Sequence, residues 1–208
     1  MFTIQDKVVL ITGGSKGIGL GIAKAFSKAG AHVHVCGRNE PAPDTFPEGS
    51  GIQFVKCDVR DPESAEALIT GIREIEGRID VLINNAGGGP PADAATASPR
   101  FTESIIRLNL LAPLLMSQLA YDALKESNGS IINIASVSAI RSSPGTMAYG
   151  AAKAGLLNAT ISLAQEWGPH IRVNAIIAGL IKTEAANEHY GGPDGIEKLE
   201  ARLPGRRM

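Results

Sequence analysis

Tyr149 and Lys153 stand four residues apart in the helical stretch "YGAAK", and residues i and i+4 share one helix face. A free tyrosine titrates near pH ~10, too high for efficient proton exchange at neutral pH. An ammonium one turn away stabilises the phenolate and lowers that value. A lowering of two to three units requires roughly 3–4 kcal/mol of differential stabilisation. The pair has the makings of a proton donor for an oxygen that gains negative charge. The same spacing is common on solvated helix faces, so its meaning depends on what surrounds it.

A second chemical feature lies at the start of the chain. The run "KVVLITG" leads into "TGGSKGIG", residues 12–19, and then into a helical pattern. Glycines at a strand–helix junction allow a tight turn and a close approach of pyrophosphate to the backbone. The helix start then offers free amides and a positive dipole end. The spacing is Gly13-xxx-Gly17-x-Gly19, with Ser15, Lys16 and Ile18 between the glycines, rather than the commonest dinucleotide fingerprint. At the end of the second strand-like run, Gly37 stands where a carboxylate would bind a ribose 2′-hydroxyl, and Arg38 follows. With Lys16 in the glycine loop, two cations are available for charge-assisted bonds to a 2′-phosphate. NADP(H) is therefore favoured over NAD(H).

These residues need a scaffold, and its pattern is regular. The β-branched runs 7–13, 32–37, 52–58, 80–87, 130–136 and 171–179 alternate with helical segments near 17–29, 61–77, 98–126 and 149–167. Continuous Val, Ile and Leu content suits strands buried on both faces of a parallel sheet. The alternation predicts α/β architecture: a Rossmann-type doubly wound parallel sheet in three α/β/α layers, as a single domain over residues 1–208. Residues 38–51, with three prolines, are expected to form an extended crossover without a regular helix.

Composition narrows the partners. The chain of 208 residues has a formal net charge of −1 and is 20% charged and 44% hydrophobic. That balance argues against nucleic acid or an anionic membrane as a bulk electrostatic partner. No apolar run is long enough to span a bilayer, and no signal peptide is read at the amino terminus. The protein is expected to be cytoplasmic, and Cys36 and Cys57, each near a strand end, to be buried, reduced thiols, since a cytosolic chain keeps thiols reduced.

Four stretches in register ("TGGSKGIG", "NNAG" at 84–87, Ser136 after the fifth strand, and "YGAAK") resemble the short-chain dehydrogenase/reductase family. The resemblance covers essentially the whole chain and implies NAD(P)-dependent oxidoreduction of alcohol and carbonyl groups without a metal. It implies that Gly13, Gly17 and Gly19 lie on the cofactor, and that Asp58, with Val59 beside it, contacts the adenine. Asn85, Ala86 and Gly87 line the cofactor. Ile181 and Thr183 match the positions that hold the nicotinamide carboxamide, and Gly179 is grouped with them. Asn109, Ser136, Tyr149 and Lys153 match the catalytic set, with Ser136 at the family's usual distance of thirteen residues before Tyr149. Lys153 is also expected to bond the nicotinamide ribose, Ser136 the substrate oxygen, and Asn109 a water linking Lys153 to solvent.

Two departures accompany the resemblance. Ala178-Gly179 stands where the family has Pro-Gly, and the resemblance implies a further helix and a seventh strand beyond "RLPGRRM". The family pattern also implies a homodimer or homotetramer pairing the helices 98–126 and 149–167. His32 and His34, at a metal-pair spacing, are expected to be structural, and Trp167 a core anchor. Residues 184–205 lie where the family keeps a mobile substrate lid. The leading expectation is a secondary alcohol/ketone oxidoreductase, with a 3-oxoacyl thioester as the first substrate class. The alternatives are a dinucleotide-binding regulatory protein, a steroid or sugar alcohol dehydrogenase, and an isomerase or dehydratase on the same scaffold.

Overall fold

The structure is a computed structural model and describes residues 3–207. Six strands form one parallel sheet: β1 (Val8–Thr12), β2 (His32–Gly37), β3 (Gln53–Lys56), β4 (Val81–Asn84), β5 (Ser130–Ser136) and β6 (Arg172–Ala178). Their order is β3-β2-β1-β4-β5-β6, which reverses direction between β1 and β4. That reversal leaves a crevice at the carboxyl ends of the strands, where ligands of doubly wound sheets bind.

The helices follow local chemistry. α1 (Gly17–Lys28) grows straight out of the glycine loop. α2 (Pro62–Glu76) opens with Asp61 accepting a hydrogen bond from the Ser64 amide and with Pro62 in the first turn; it stops at Gly77, whose φ is 71°. The predicted single helix over 98–126 is divided. α3 (Pro99–Ile106) passes into a π-helical turn, Arg107–Leu111, followed by α4 (Ala112–Leu119) and α5 (Tyr121–Glu126). α6 (Met147–Trp167) is long and uninterrupted. Residues 38–51 hold no helix, as the prolines require.

Two apolar layers sandwich the sheet. On one face Leu10, Leu82, Ile131 and Val173 pack with Leu68 and Ile72 of α2, Met116 of α4 and Leu163 of α6. Trp167 joins this layer with its ring 5.1 Å from that of Tyr121, the anchoring role expected of it. On the other face Val9, Ile11, Val33, Val35 and Ile83 pack with Ala23 and Phe26 of α1, and with Phe46 and Ile52 from the extended crossover. Cys36 and Cys57 are buried free thiols. His32 and His34 both bond the Glu76 carboxylate at the end of α2, at 3.0 and 2.8 Å. Glu76 stands forty-odd positions away in sequence, and its bonds to both rings fit the structural role expected of the histidines.

Asp80, 4% exposed, pins the amino-terminal ends of β1 and β4 together. Its carboxylate accepts from the Val8 amide at 3.0 Å, from Lys7 Nζ at 2.9 Å and from Arg78 Nε at 2.8 Å. Burial alone would raise its pKa, but Arg78, the Val8 amide and Lys7 together hold it below the usual carboxylate range. Because the folded pKa lies below the unfolded one, the contribution is complete above the unfolded value of about 3.9 and is lost as pH falls through the folded pKa. Asp80→Asn is expected to cost about 2–4 kcal/mol at pH 7, since two charge-assisted partnerships are lost. Urea unfolding at pH 7 and below checks this: the difference between the proteins should shrink on acidification, and a difference independent of pH would refute it.

Candidate active site

The site starts from Thr12, the last residue of β1 and 2% exposed. Its Oγ1 accepts from the amides of Asn85 and Ala86, both at 3.0 Å. Asn85 Nδ2 in turn donates to the carbonyls of Thr12 (2.9 Å) and Gly13 (3.1 Å). The segment after β4 is thereby bound to the glycine loop after β1. Gly13 and Gly17 take φ of 65° and 55°, values that side chains rarely adopt. Gly19 has no room for a side chain: a Cβ there would collide with the Gly13 carbonyl oxygen and come within 2.5 Å of Asn85 Nδ2.

Asn109 occupies the π-helical turn and is fully buried. Its Nδ2 donates to the carbonyls of Gly88 (2.8 Å) and Ile105 (2.9 Å), and its Oδ1 accepts from the Gly88 amide (2.9 Å). Asparagine thus grips both backbone groups of Gly88. A Cβ on Gly87 would lie 2.8 Å from Asn109 Oδ1 and 3.3 Å from Lys153 Nζ, and one on Gly89 would lie 3.0 Å from Tyr149 Cβ. The glycines after β4 therefore serve as a thin wall against which Asn109, Lys153 and Tyr149 all rest. Asn109 was expected to hold a water beside Lys153; the bonds it makes here are to the backbone of Gly88 and Ile105.

Ser136 ends β5 and accepts from the Ser138 amide at 3.2 Å. Its hydroxyl stands close enough to the Tyr149 phenol to favour the ionised form. Ser138, the other serine near the strand end, is engaged instead by the Ser143 hydroxyl. α6 carries Tyr149 and Lys153 one turn apart, and its small residues allow close seating. Positions for a Cβ on Gly150 and Gly155 lie 3.0 Å from the Ser138 carbonyl and 3.1 Å from Leu110.

The electrostatics differ from the expectation drawn from "YGAAK". Burial pushes the Tyr149 phenol above its ordinary pKa, the Ser136 hydroxyl opposes this, and Tyr190 adds to it. Lys153 does not reverse the balance. Its Nζ lies 5.8 Å from the Tyr149 ring centre and donates at 2.7 Å to the Ile134 carbonyl. Burial, at 3% exposure, brings the Lys153 ammonium down to about 8. Removal from water sets the direction of the shift at both groups in this arrangement.

At the other end of the crevice, Ser15 Oγ and Phe54 each lie 3.4 Å from the position of a Cβ on Gly37, leaving little room for a larger residue. Lys16 and Arg38 are exposed. The Asp58 carboxylate is gripped by Arg60, whose Nη2 and Nε approach to 2.6 and 2.9 Å. Arg60, with a smaller contribution from Arg38, holds Asp58 below the usual carboxylate range. The Val59 side chain is packed in the core beneath. Ile18 is half-buried on α1.

Beyond β6, Gly179 and Ile181 are exposed, whereas Thr183 packs on the glycine loop with its Cγ2 3.7 Å from a Cβ position on Gly17. Glu184 reaches the same residue, accepting from the Gly17 amide at 2.6 Å. The expected lid region folds as two short helices, α7 (Ala186–Tyr190) and α8 (Gly192–Glu200). Sequence reasoning missed Thr12, Arg60, Glu184 and Tyr190. Thr12 had a signal, as the one polar side chain in "VVLIT"; Glu184, 167 residues from its partner, had none.

The loop fits a dinucleotide pyrophosphate on the structure's own terms. Its glycines leave the backbone bare, and an anionic oxygen from Glu184 is already bound at the first amide of α1. A Rossmann-type sheet with Ser, Tyr and Lys side chains gathered at its carboxyl rim defines a nucleotide-binding oxidoreductase. The profile of the short chain dehydrogenase family matches residues 7–192, and the chain belongs to that family. It is similar to Protein FixR of Bradyrhizobium diazoefficiens, at 34% identity over 98% of this chain and 76% of that one. It is also similar to the 3-oxoacyl-[acyl-carrier-protein] reductase FabG of Chlamydia muridarum, at 36% identity over 87% of this chain and 76% of that one. Among solved structures, actinorhodin polyketide ketoreductase with NADPH superposes with a TM-score of 0.91 at 31% identity, covering 100% of this chain and 86% of that one. Among the described residues no helix is long and apolar enough to cross a membrane.

Proposed function

We propose that this chain is an NADP(H)-dependent oxidoreductase that interconverts a secondary alcohol and a ketone, and that a 3-oxoacyl thioester is the substrate class to test first. One observation carries the reading: the Tyr149 phenol stands beside Ser136, whose hydroxyl favours its ionised form, with the Lys153 ammonium 5.8 Å from its ring centre. The dinucleotide, when bound, supplies the hydride. Tyr149 gives its proton to the oxygen that gains charge, Ser136 donates a hydrogen bond to that oxygen, and Lys153 stabilises the phenolate left behind. Asn109 keeps Gly88, and hence the wall behind Tyr149, in place. Gly13, Ser15, Gly17, Ile18 and Gly19 would hold the pyrophosphate; Asn85, Ala86, Gly87, Gly179, Ile181 and Thr183 the nicotinamide half; Asp58 and Val59 the adenine.

The preference for a 2′-phosphate rests on exposed Lys16 in the glycine loop, on Arg38 next to Gly37, and on Arg60 neutralising Asp58. The 3-oxoacyl assignment draws support from the likeness to FabG. Residues 1–208 would act as one dinucleotide-binding domain in the cytoplasm, within a homodimer or homotetramer. Exposed Leu111 of the π-helical turn and Ile161 of α6 support pairing through those helices. The test follows NADPH absorbance with 3-oxoacyl thioesters, simple ketones and quinones. The expected result is turnover of a ketone that is faster with NADPH than with NADH. Arg38→Asp should lower kcat/KM for NADPH about ten- to a hundredfold, the scale of one charge-assisted bond. Equal use of the two cofactors by the unaltered protein would defeat the NADP(H) assignment.

A further inference from the structure

We propose that Glu184 is a built-in gate on the cofactor site: its carboxylate holds the α1 amide that a dinucleotide's pyrophosphate must take. The inference rests on the dinucleotide-binding reading above. Gly17 opens α1, where amides lack helical partners and negative charge is stabilised. Lys16, the residue before it, makes no side-chain cap. Glu184 fills that role from the far end of the chain, at 2.6 Å.

Neighbouring residues make the contact part of a strap rather than a stray side-chain position. Thr183 faces Gly17, its Cγ2 3.7 Å from where a Cβ on that glycine would stand, and Lys182 Nζ stands 3.7 Å from Glu200 of α8. Residues 182–184 thus reach the glycine loop on one side, through Glu184, and α8 on the other, through Lys182. A carboxylate and a pyrophosphate cannot share one amide, because like charges at contact repel. Cofactor entry therefore requires Glu184 to leave, and its departure frees the segment that carries α7 and α8. Apparent cofactor affinity is reduced by the fraction of molecules with the gate released.

Glu184 is exposed, so its replacement leaves the packed core untouched. The experiment compares the full chain with Glu184→Ala and Glu184→Gln, titrating each with NADPH by fluorescence and following amide exchange at Gly17 without cofactor. Glu184→Ala is expected to bind NADPH about five- to tenfold more tightly and to exchange the Gly17 amide faster, and Glu184→Gln, which loses the charge but keeps an acceptor oxygen, to fall between it and the unaltered protein. Unchanged or weaker binding by the variants would overturn the gate while leaving the dinucleotide reading intact. Unchanged exchange at Gly17 would likewise overturn it. Absence of NADPH binding by all three proteins would overturn the dinucleotide reading, and the gate with it.

Discussion

Tyr149→Phe is expected to lower kcat for ketone reduction by about 10²–10⁴-fold while leaving NADPH affinity within a few-fold. The phenylalanine ring keeps the volume that rests against Gly89 and the space beside Lys153. What disappears is the hydroxyl beside Ser136 that is proposed to supply the proton. A loss confined to the chemical step has a recognisable form. kcat and kcat/KM should fall together, as for an interaction made in the transition state, while the cofactor Kd stays in place. Retention of more than a tenth of the turnover would end Tyr149's candidacy as proton donor. So would an equal loss in the cofactor affinity, because the residue would then be acting on binding.

The second large effect is expected at Gly19. Gly19→Ala adds one methyl group where the Gly13 carbonyl and Asn85 Nδ2 already touch the backbone. Both neighbours are fixed: Gly13 leads directly out of β1, and Asn85 is tied to Thr12 and Gly13 by its own amide. Overpacking of this kind costs about 1–3 kcal/mol when the surroundings yield only in part. Here the strain falls on the loop that presents amides to the pyrophosphate. NADPH affinity should therefore weaken about five- to 150-fold, with a smaller change in the unfolding midpoint. Fluorescence titration alongside urea unfolding separates the two. Wild-type affinity in a stably folded Gly19→Ala would show that the close packing at this loop is irrelevant to binding.

Much of the framework was legible in the chain. Strand and helix periodicities placed all six strands, and the prolines of 38–51 correctly denied that crossover a helix. The glycine loop and the Tyr149–Lys153 pair could be read because their meaning rests on spacing: a strand–helix junction in one case, a shared helix face in the other. The helix over 98–126 was read as one piece because apolar periodicity does not register a single widened turn. Yet that turn, Arg107–Leu111, is what carries Asn109 toward Gly88. Asp58 was read as a ligand-facing carboxylate, and its capture by Arg60 appears only once both side chains have a place.

Sequence alone determined the doubly wound scaffold, the location of its phosphate-type loop and the helical face that bears Tyr149 and Lys153. Those properties follow from backbone preferences and from neighbours within a few residues. Tertiary structure alone decided which groups meet across the chain: Thr12 with Asn85, Glu76 with both histidines, and Glu184 with Gly17. It also decided the sign of the shift at Tyr149, which burial raises although a lysine stands one turn away. Desolvation is a sum over atoms brought in by many elements, and no spacing within one helix contains it.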